Sequence, residues 1–264
     1  MDHLPHFRRE ILAFETAARK AAEAGTAPIV PSCPEWSVSD LVGHLGWVHR
    51  FVAHIITERL QEPPQALDPE LLDLPPDLRG WQGPGQEPTP GPVPRSLIEW
   101  FGSGAFALES AFRKTGQDER VWTWSRDRTT GFWLRMQTIE AAVHRWDAEG
   151  AVGTAQPVEA DLAADAVVQS LTVMAPYRRT VKQAPPGSGE RFRFRQIDGA
   201  GDWTVAFNGD DVLLVEGGEP GDVELTGTAS DLMLFLWQRI PPERLEVKGE
   251  REVLDRYFTL VPPV

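Results

Sequence analysis

Thr138–Asp147 reads TIEAAVHRWD, and the spacing within it decides both a local fold and a chemistry. On a helix, Glu140 and His144 stand about one turn apart and project from the same face. Met136, Ile139, Val143 and Trp146 form the adjacent apolar stripe, so the Glu/His row is expected at the edge of a buried face. Asp147 follows three residues after His144, within reach of the second ring nitrogen, where a carboxylate fixes the imidazole tautomer. Alone, Glu140 and His144 also read as an ordinary surface pair of about 0.2 to 0.5 kcal/mol. A third residue, His44, two turns into another helix, raises the metal reading. Ligands of His, Glu and His type leave the fourth position of a tetrahedral zinc open to water or substrate, the form of a catalytic site.

Working outward, this segment belongs to the last of four helices, over Phe132 to Glu149. The first is expected from about Pro5 to Ala24, with Phe7, Ile11 and Phe14 on one face and Gly25 as the stop. The second follows Ser37-Val38-Ser39-Asp40, where the Ser37 hydroxyl caps free N–H groups and Asp40 suits the positive helix end. It runs through Leu41, Leu45, Val48, Val52 and Ile56 to near Leu60. Residues 61 to 95 carry ten of the 23 prolines and read as a long irregular loop, functional cover or disordered segment. The third helix spans Ser96 to Thr115. Four helices with one long connection make an antiparallel bundle over residues 1 to 150.

Past the small residues Gly150-Ala151-Val152-Gly153 the character changes, and a second domain is expected over 157 to 264. An alanine-rich helix from Val158 to Thr180 opens it. Arg191 to Arg195 alternates with period two, as do Trp203, Val205 and Phe207, and Asn208-Gly209 is a hairpin signal. Further strands are expected at Val212 to Val215, Val223 to Thr226 and Leu245 to Val247. Ser230 is the expected cap of a helix through Arg239, and a final helix covers Glu250 to Leu260. The result is a small α+β domain with a mainly antiparallel sheet.

Composition narrows the function. Twenty-six basic residues against 39 acidic ones give a net charge of −13, which argues against nucleic acid or an anionic membrane as partner. No stretch approaches the roughly 20 apolar residues of a membrane span, and the N-terminus lacks a signal-peptide pattern. One cysteine, Cys33, excludes an internal disulfide framework and cysteine-pair zinc sites, so a reducing cytoplasm is the expectation. Pro31 and Pro34 keep Cys33 off a helix start that would activate it, so it reads as packing. His49 is five residues from His44, a rotation of about 140°, and His54 repeats the step. Both are therefore expected at solvated helix positions, with His3 and His6 ordinary terminal residues. Arg126, Arg128 and Arg135 are available to a substrate carboxylate, but a solvated charged turn is the preferred reading for each and none is assigned a role.

Pro31 to His44, PSCPEWSVSDLVGH, together with Met136 to Glu149, MQTIEAAVHRWDAE, resembles the mycothiol-dependent maleylpyruvate isomerase family. The resemblance covers nearly the whole chain. It implies a DinB-like four-helix bundle, and Thr226 to Arg239, TGTASDLMLFLWQR, implies that family's sterol-carrier-like C-terminal domain. The family's zinc triad falls on His44, Glu140 and His144. The implied cofactors are Zn2+ and mycothiol or a related small thiol. Zinc favours a thiolate at neutral pH, where a free thiol of pKa about 8.5 is mostly protonated. The implied reaction is cis–trans isomerisation of a small electrophile, or S-transfer to it. Two other classes stay open: a zinc-stabilised binding or regulatory protein, and a metal-dependent hydrolase with Asp147 as its base.

Overall fold

The computed structural model describes residues 1–25, 27–64, 72–78, 87–215 and 219–263. The chain divides into two compact units, Met1–Gln156 and Pro157–Val264. No helix among the described residues is long and apolar enough to cross a membrane.

The first unit contains four long helices: α1 (His3–Glu23), α2 (Val38–Thr57), α3 (Arg95–Lys114) and α4 (Thr130–Ala151). Asp2 caps α1 by accepting from Leu4 N–H. Ser37 and Asp40 form a reciprocal capping box at the start of α2, the side chain of each taking the other's backbone N–H. α1 packs on α4 and α2 on α3, burying Phe7, Phe14, Leu41, Leu45, Ile55, Phe101, Leu108, Ile139 and Val143. Gly46 lets α2 and α3 approach closely. A Cβ there would stand 2.2 Å from the Trp100 ring, which itself carries the Arg50 guanidinium 4.1 Å above its centre. A buried ion pair joins the outer helices, Arg145 Nε donating to Glu10 Oε2 at 2.8 Å.

Two features of this unit were not expected. Ile29–Val30 (β1) and Cys33–Ser37 (β2) pair as an antiparallel hairpin that leads directly into α2. The proline-rich connection contains a 3-10 turn at Pro76–Leu78, and its far end is pinned to α2, because Thr89 N–H donates to Asp40 Oδ2 at 2.9 Å and the Thr89 hydroxyl also bonds Asp40. The rest of the expected irregular loop, residues 65–71 and 79–86, lies outside the described residues.

The second unit opens with α5 (Ala160–Gln169), a π segment at Ser170–Met174 and α6 (Ala175–Lys182), which together replace the single helix expected over Val158 to Thr180. Five strands follow: β3 (Gly187–Gln196), β4 (Asp202–Gly209), β5 (Asp211–Val215), β6 (Val223–Gly227) and β7 (Glu246–Gly249). Their spatial order is β5-β4-β3-β6-β7, antiparallel throughout except that β3 and β6 run parallel. Asn208 pairs with Asp211, so the hairpin loop is Gly209-Asp210, one residue later than expected, with the positive φ of +58° at Gly209. Between β6 and β7 lies α7 (Ala229–Leu236), capped by Thr228, which accepts from Asp231 N–H. Ser230, the expected cap, sits inside the first turn and accepts from Val158 N–H at 3.0 Å. The last helix, α8 (Arg251–Leu260), inserts Tyr257 among Phe192, Phe194, Phe207, Phe235 and Phe258.

Candidate metal centre

α2 carries His44 one turn beyond its capping box, and α4 carries Glu140 and His144 one turn apart on the face turned toward α2. One ligand atom from each of the three lies within 4.8 Å of the other two. His44 Nε2 and Glu140 Oε1 are 2.9 Å apart, and the two imidazole rings meet edge to face at 5.1 Å. Exposure rises across the cluster. The side chain of His144 is 7% exposed, that of Glu140 14% and that of His44 26%, so the group opens on the His44 side.

Each member of the cluster has support behind it. Asp147 Oδ2 lies 3.1 Å from His144 Nδ1, which leaves Nε2 of that ring to the cluster. Asp147 is itself fully buried and accepts from the Ser32 hydroxyl at 2.6 Å on the turn between β1 and β2. Gln137, one turn before Glu140, donates its amide to Glu140 Oε2 at 2.8 Å and so divides the two carboxylate oxygens between separate partners. Burial pushes the Glu140 carboxyl up. The His44 hydrogen bond and the fields of His44, His144 and His49 outweigh it and hold the group at about 2, ionised at neutral pH.

Trp36 forms a wall over the imidazoles. Its ring stacks on His144 at 6.1 Å with planes 13° apart and meets His44 edge-on at 5.1 Å. Gln137, Ser32 and Trp36 went unremarked in the sequence. The only signal for Trp36 was its place one residue before the helix cap, and Ser32 has a partner 115 residues away.

His49 departs from expectation. It does not face solvent but is fully buried between Phe7 and Phe101, with ring centres 5.6 and 5.5 Å away. Neither ring nitrogen has a hydrogen-bond partner among the described residues. Burial, opposed by the Glu140 carboxylate and aided by the fields of His44, Arg50 and His144, lowers its pKa to about 3 and keeps the ring neutral. Rotation along the helix does separate it from His44, but α2 packs against α1, α3 and α4, so more than one of its faces is buried. His54, His3 and His6 are partly exposed, and Cys33 is half-buried.

A family model described as the mycothiol maleylpyruvate isomerase N-terminal domain matches residues 7–149, and one described as the MDMPI C-terminal domain matches residues 161–256. No curated protein matches the chain. Among solved structures, a mycothiol-dependent maleylpyruvate isomerase aligns with a TM-score of 0.62 at 13% identity, over 94% of this chain and 93% of that one. A histidine-to-alanine variant described under the same name aligns with a TM-score of 0.60 at 14% identity, over the same shares of both chains. At these identities the likeness speaks to the fold.

Proposed function

This chain belongs to the mycothiol maleylpyruvate isomerase family, and from that premise we propose a zinc enzyme that uses mycothiol in the cis–trans isomerisation of a small conjugated electrophile. The observation that carries the metal assignment is the convergence of His44, Glu140 and His144 within 4.8 Å. The donor set fits a borderline divalent ion. Two neutral imidazoles and one carboxylate offset one of its two charges and leave room for one more anionic donor. When bound, the ion supplies a Lewis acid that favours the thiolate form of a thiol at neutral pH.

The chain's own residues do the rest. Asp147, held by the Ser32 hydroxyl, would keep the His144 proton on Nδ1, so that Nε2 is the atom offered to the metal. Gln137 restrains Glu140 to presenting one oxygen. Trp36 covers both rings with apolar surface, limiting water on that side. The hydrolytic alternative asks Asp147 to act as a base on water, yet Asp147 is fully buried and its two oxygens are engaged by His144 and Ser32.

The test uses the cobalt-substituted protein. Addition of mycothiol is expected to give a sulfur-to-cobalt charge-transfer band, and turnover of maleylpyruvate is expected to require the thiol and return it unconsumed. Stoichiometric loss of thiol would replace the isomerase with an S-transferase. A protein that shows no spectral response to millimolar thiol and hydrolyses an ester without it would overturn the reading.

A further inference from the structure

The register of α2 against α4 fixes what lies beside the metal cluster. His44 Nε2 and Glu140 Oε1 are 2.9 Å apart, and further along the same two helices the Phe51 and Trp133 rings meet edge to face at 6.5 Å. The step from 44 to 51 on α2 thus matches the step from 140 back to 133 on α4, so the helices run antiparallel and Trp47 stands level with Gln137. That is about 4.5 Å along the helix axis from the level of His44 and Glu140. Trp47 also lies on the open flank of α2. It is 39% exposed, whereas Leu41, Leu45 and Val52 on the other flank are fully buried. His44 is the most exposed member of the cluster, so cluster and indole open to the same side.

The ring of Trp47 is held, but its polar end takes no part in the fold. The indole N–H of Trp100 donates to the Leu72 carbonyl at 2.6 Å and that of Trp133 to the Trp122 carbonyl at 2.7 Å. Trp47 makes no hydrogen bond among the described residues. Its indole lies on Phe51 at 5.2 Å with planes 10° apart, and Phe51 is braced edge-on by Trp122 and Trp133. Phe51 comes one turn later on α2, and helical side chains lean toward the N-terminus. Phe51 therefore backs the indole, and the other face of Trp47 looks along α2 toward His44. Two tryptophans bracket the cluster: Trp36 is stacked on His144, whereas Trp47 offers a face that no ring covers among the described residues.

The chemistry of an indole face selects its occupant. It carries the negative part of the ring quadrupole, so it disfavours a carboxylate and favours C–H groups polarised by neighbouring oxygens. Maleylpyruvate, an anion at neutral pH, fits poorly there. Mycothiol bears its thiol on a pair of sugar rings, whose flat faces are lined with such C–H groups. We propose, on the basis of the function proposed above, that Trp47 backed by Phe51 is the subsite for a sugar ring of the thiol cofactor and selects a glycosylated thiol over a plain one.

The experiment uses the full chain with two readouts. In the cobalt-substituted protein, the charge-transfer band gives Kd for mycothiol and for N-acetylcysteine, a thiol without a sugar. Trp47→Ala is expected to weaken mycothiol roughly tenfold and leave N-acetylcysteine unchanged, whereas Trp47→Tyr, which keeps an aromatic face, should retain most of the preference. In the 15N-labelled wild type, S-methyl mycothiol, whose sulfur cannot become a thiolate, is expected to move the Trp47 indole resonance, assigned with Trp47→Phe, and S-methyl N-acetylcysteine is not. Equal weakening of both thiols in Trp47→Ala, or a Trp47 resonance that S-methyl mycothiol leaves in place, would overturn the subsite. The two readouts also separate this inference from the function it rests on. If no thiol gives a band, the thiol-activating reading fails while the resonance still decides the subsite; bands with both thiols and an unmoved resonance refute the subsite alone. If Trp47→Ala does not fold, the wild-type resonance decides.

Discussion

His144 and His49 lie in the same helical bundle, 6% and 0% exposed, and differ in what stands behind the ring. Behind His144 is a relay of Asp147 and Ser32, so Nδ1 is held by a carboxylate and the proposed ligation falls to Nε2. Around His49 are two phenylalanine rings and, among the described residues, no hydrogen-bond partner for either nitrogen. Burial alone therefore says little about the role of a histidine. A carboxylate anchored on one nitrogen fits the ligand role proposed for His144, and an aromatic sleeve marks a packing residue with unmet polar groups.

The largest effect that could break this contrast is on metal content. Wild type is expected to hold one divalent ion per chain after dialysis, measured by elemental analysis. His144→Ala and Glu140→Gln should each lower affinity by at least about 100-fold, beyond the 10- to 100-fold range of outer-shell changes. His49→Phe should leave metal content unchanged. Retention of the ion in His144→Ala would remove that residue from the ligand set.

Asp147→Asn probes the relay. An amide cannot hold the imidazole tautomer as a carboxylate does, and zinc affinity in a competitive chelator titration is expected to fall about 10- to 100-fold with the fold retained. An unchanged affinity would reduce the relay to packing.

His49→Phe should show the opposite sign in stability. Two unsatisfied buried nitrogens cost about 1 to 3 kcal/mol each, so after some loss to the larger ring the variant is expected to gain roughly 1 kcal/mol in urea unfolding at pH 7. The pH dependence sharpens this. With a native pKa of about 3 against 6.5 unfolded, the unfolded chain binds the extra proton between those values. This contribution to stability is thus complete above pH 6.5 and is lost at up to about 1.4 kcal/mol per unit as pH falls toward 3. Urea midpoints at pH 7 and pH 5 should diverge less in His49→Phe than in wild type, and an equal divergence would put the acid sensitivity elsewhere. Smallest of all, Ser32→Ala removes one neutral hydroxyl from Asp147, and zinc affinity is expected to drop less than about tenfold.

What was legible in the amino-acid order follows from the range of the forces. Helical periodicity and the Ser37–Asp40 box are local, and they located α1 to α4 to within a few residues. The Glu140/His144 row was visible for the same reason. The β1–β2 hairpin was not, since β1 has two residues and β2 contains Pro34, which weakens any strand pattern. Ser32 and Thr89 act through partners far along the chain. The parallel pairing of β3 with β6 is set by a crossover and leaves no periodic trace. Thr228, two residues earlier, caps the helix in place of Ser230, whose hydroxyl instead accepts from Val158 N–H.

The π segment at Ser170–Met174, closed by Ala175 N–H on Ser170 C=O, makes sense as arithmetic. Buried pairs recur every four residues: Leu162-Ala163, Ala166-Val167, Ser170-Leu171, Met174-Ala175, Arg178-Arg179. A step of four overshoots an α-helical turn by about 40°, so over four steps the last pair would swing to the far side. One wide turn absorbs a surplus residue, about 100° of that drift, and both arginines stay inward. The helix therefore carries one residue more than its geometry uses. Deleting a single residue within 170–174 should leave Arg178 and Arg179 facing as they do, while the same deletion within 163–167 should turn the arginines relative to the start of the helix. Melting temperatures of the two deletions, with the first the higher, would bear this out, and the reverse order would refute it.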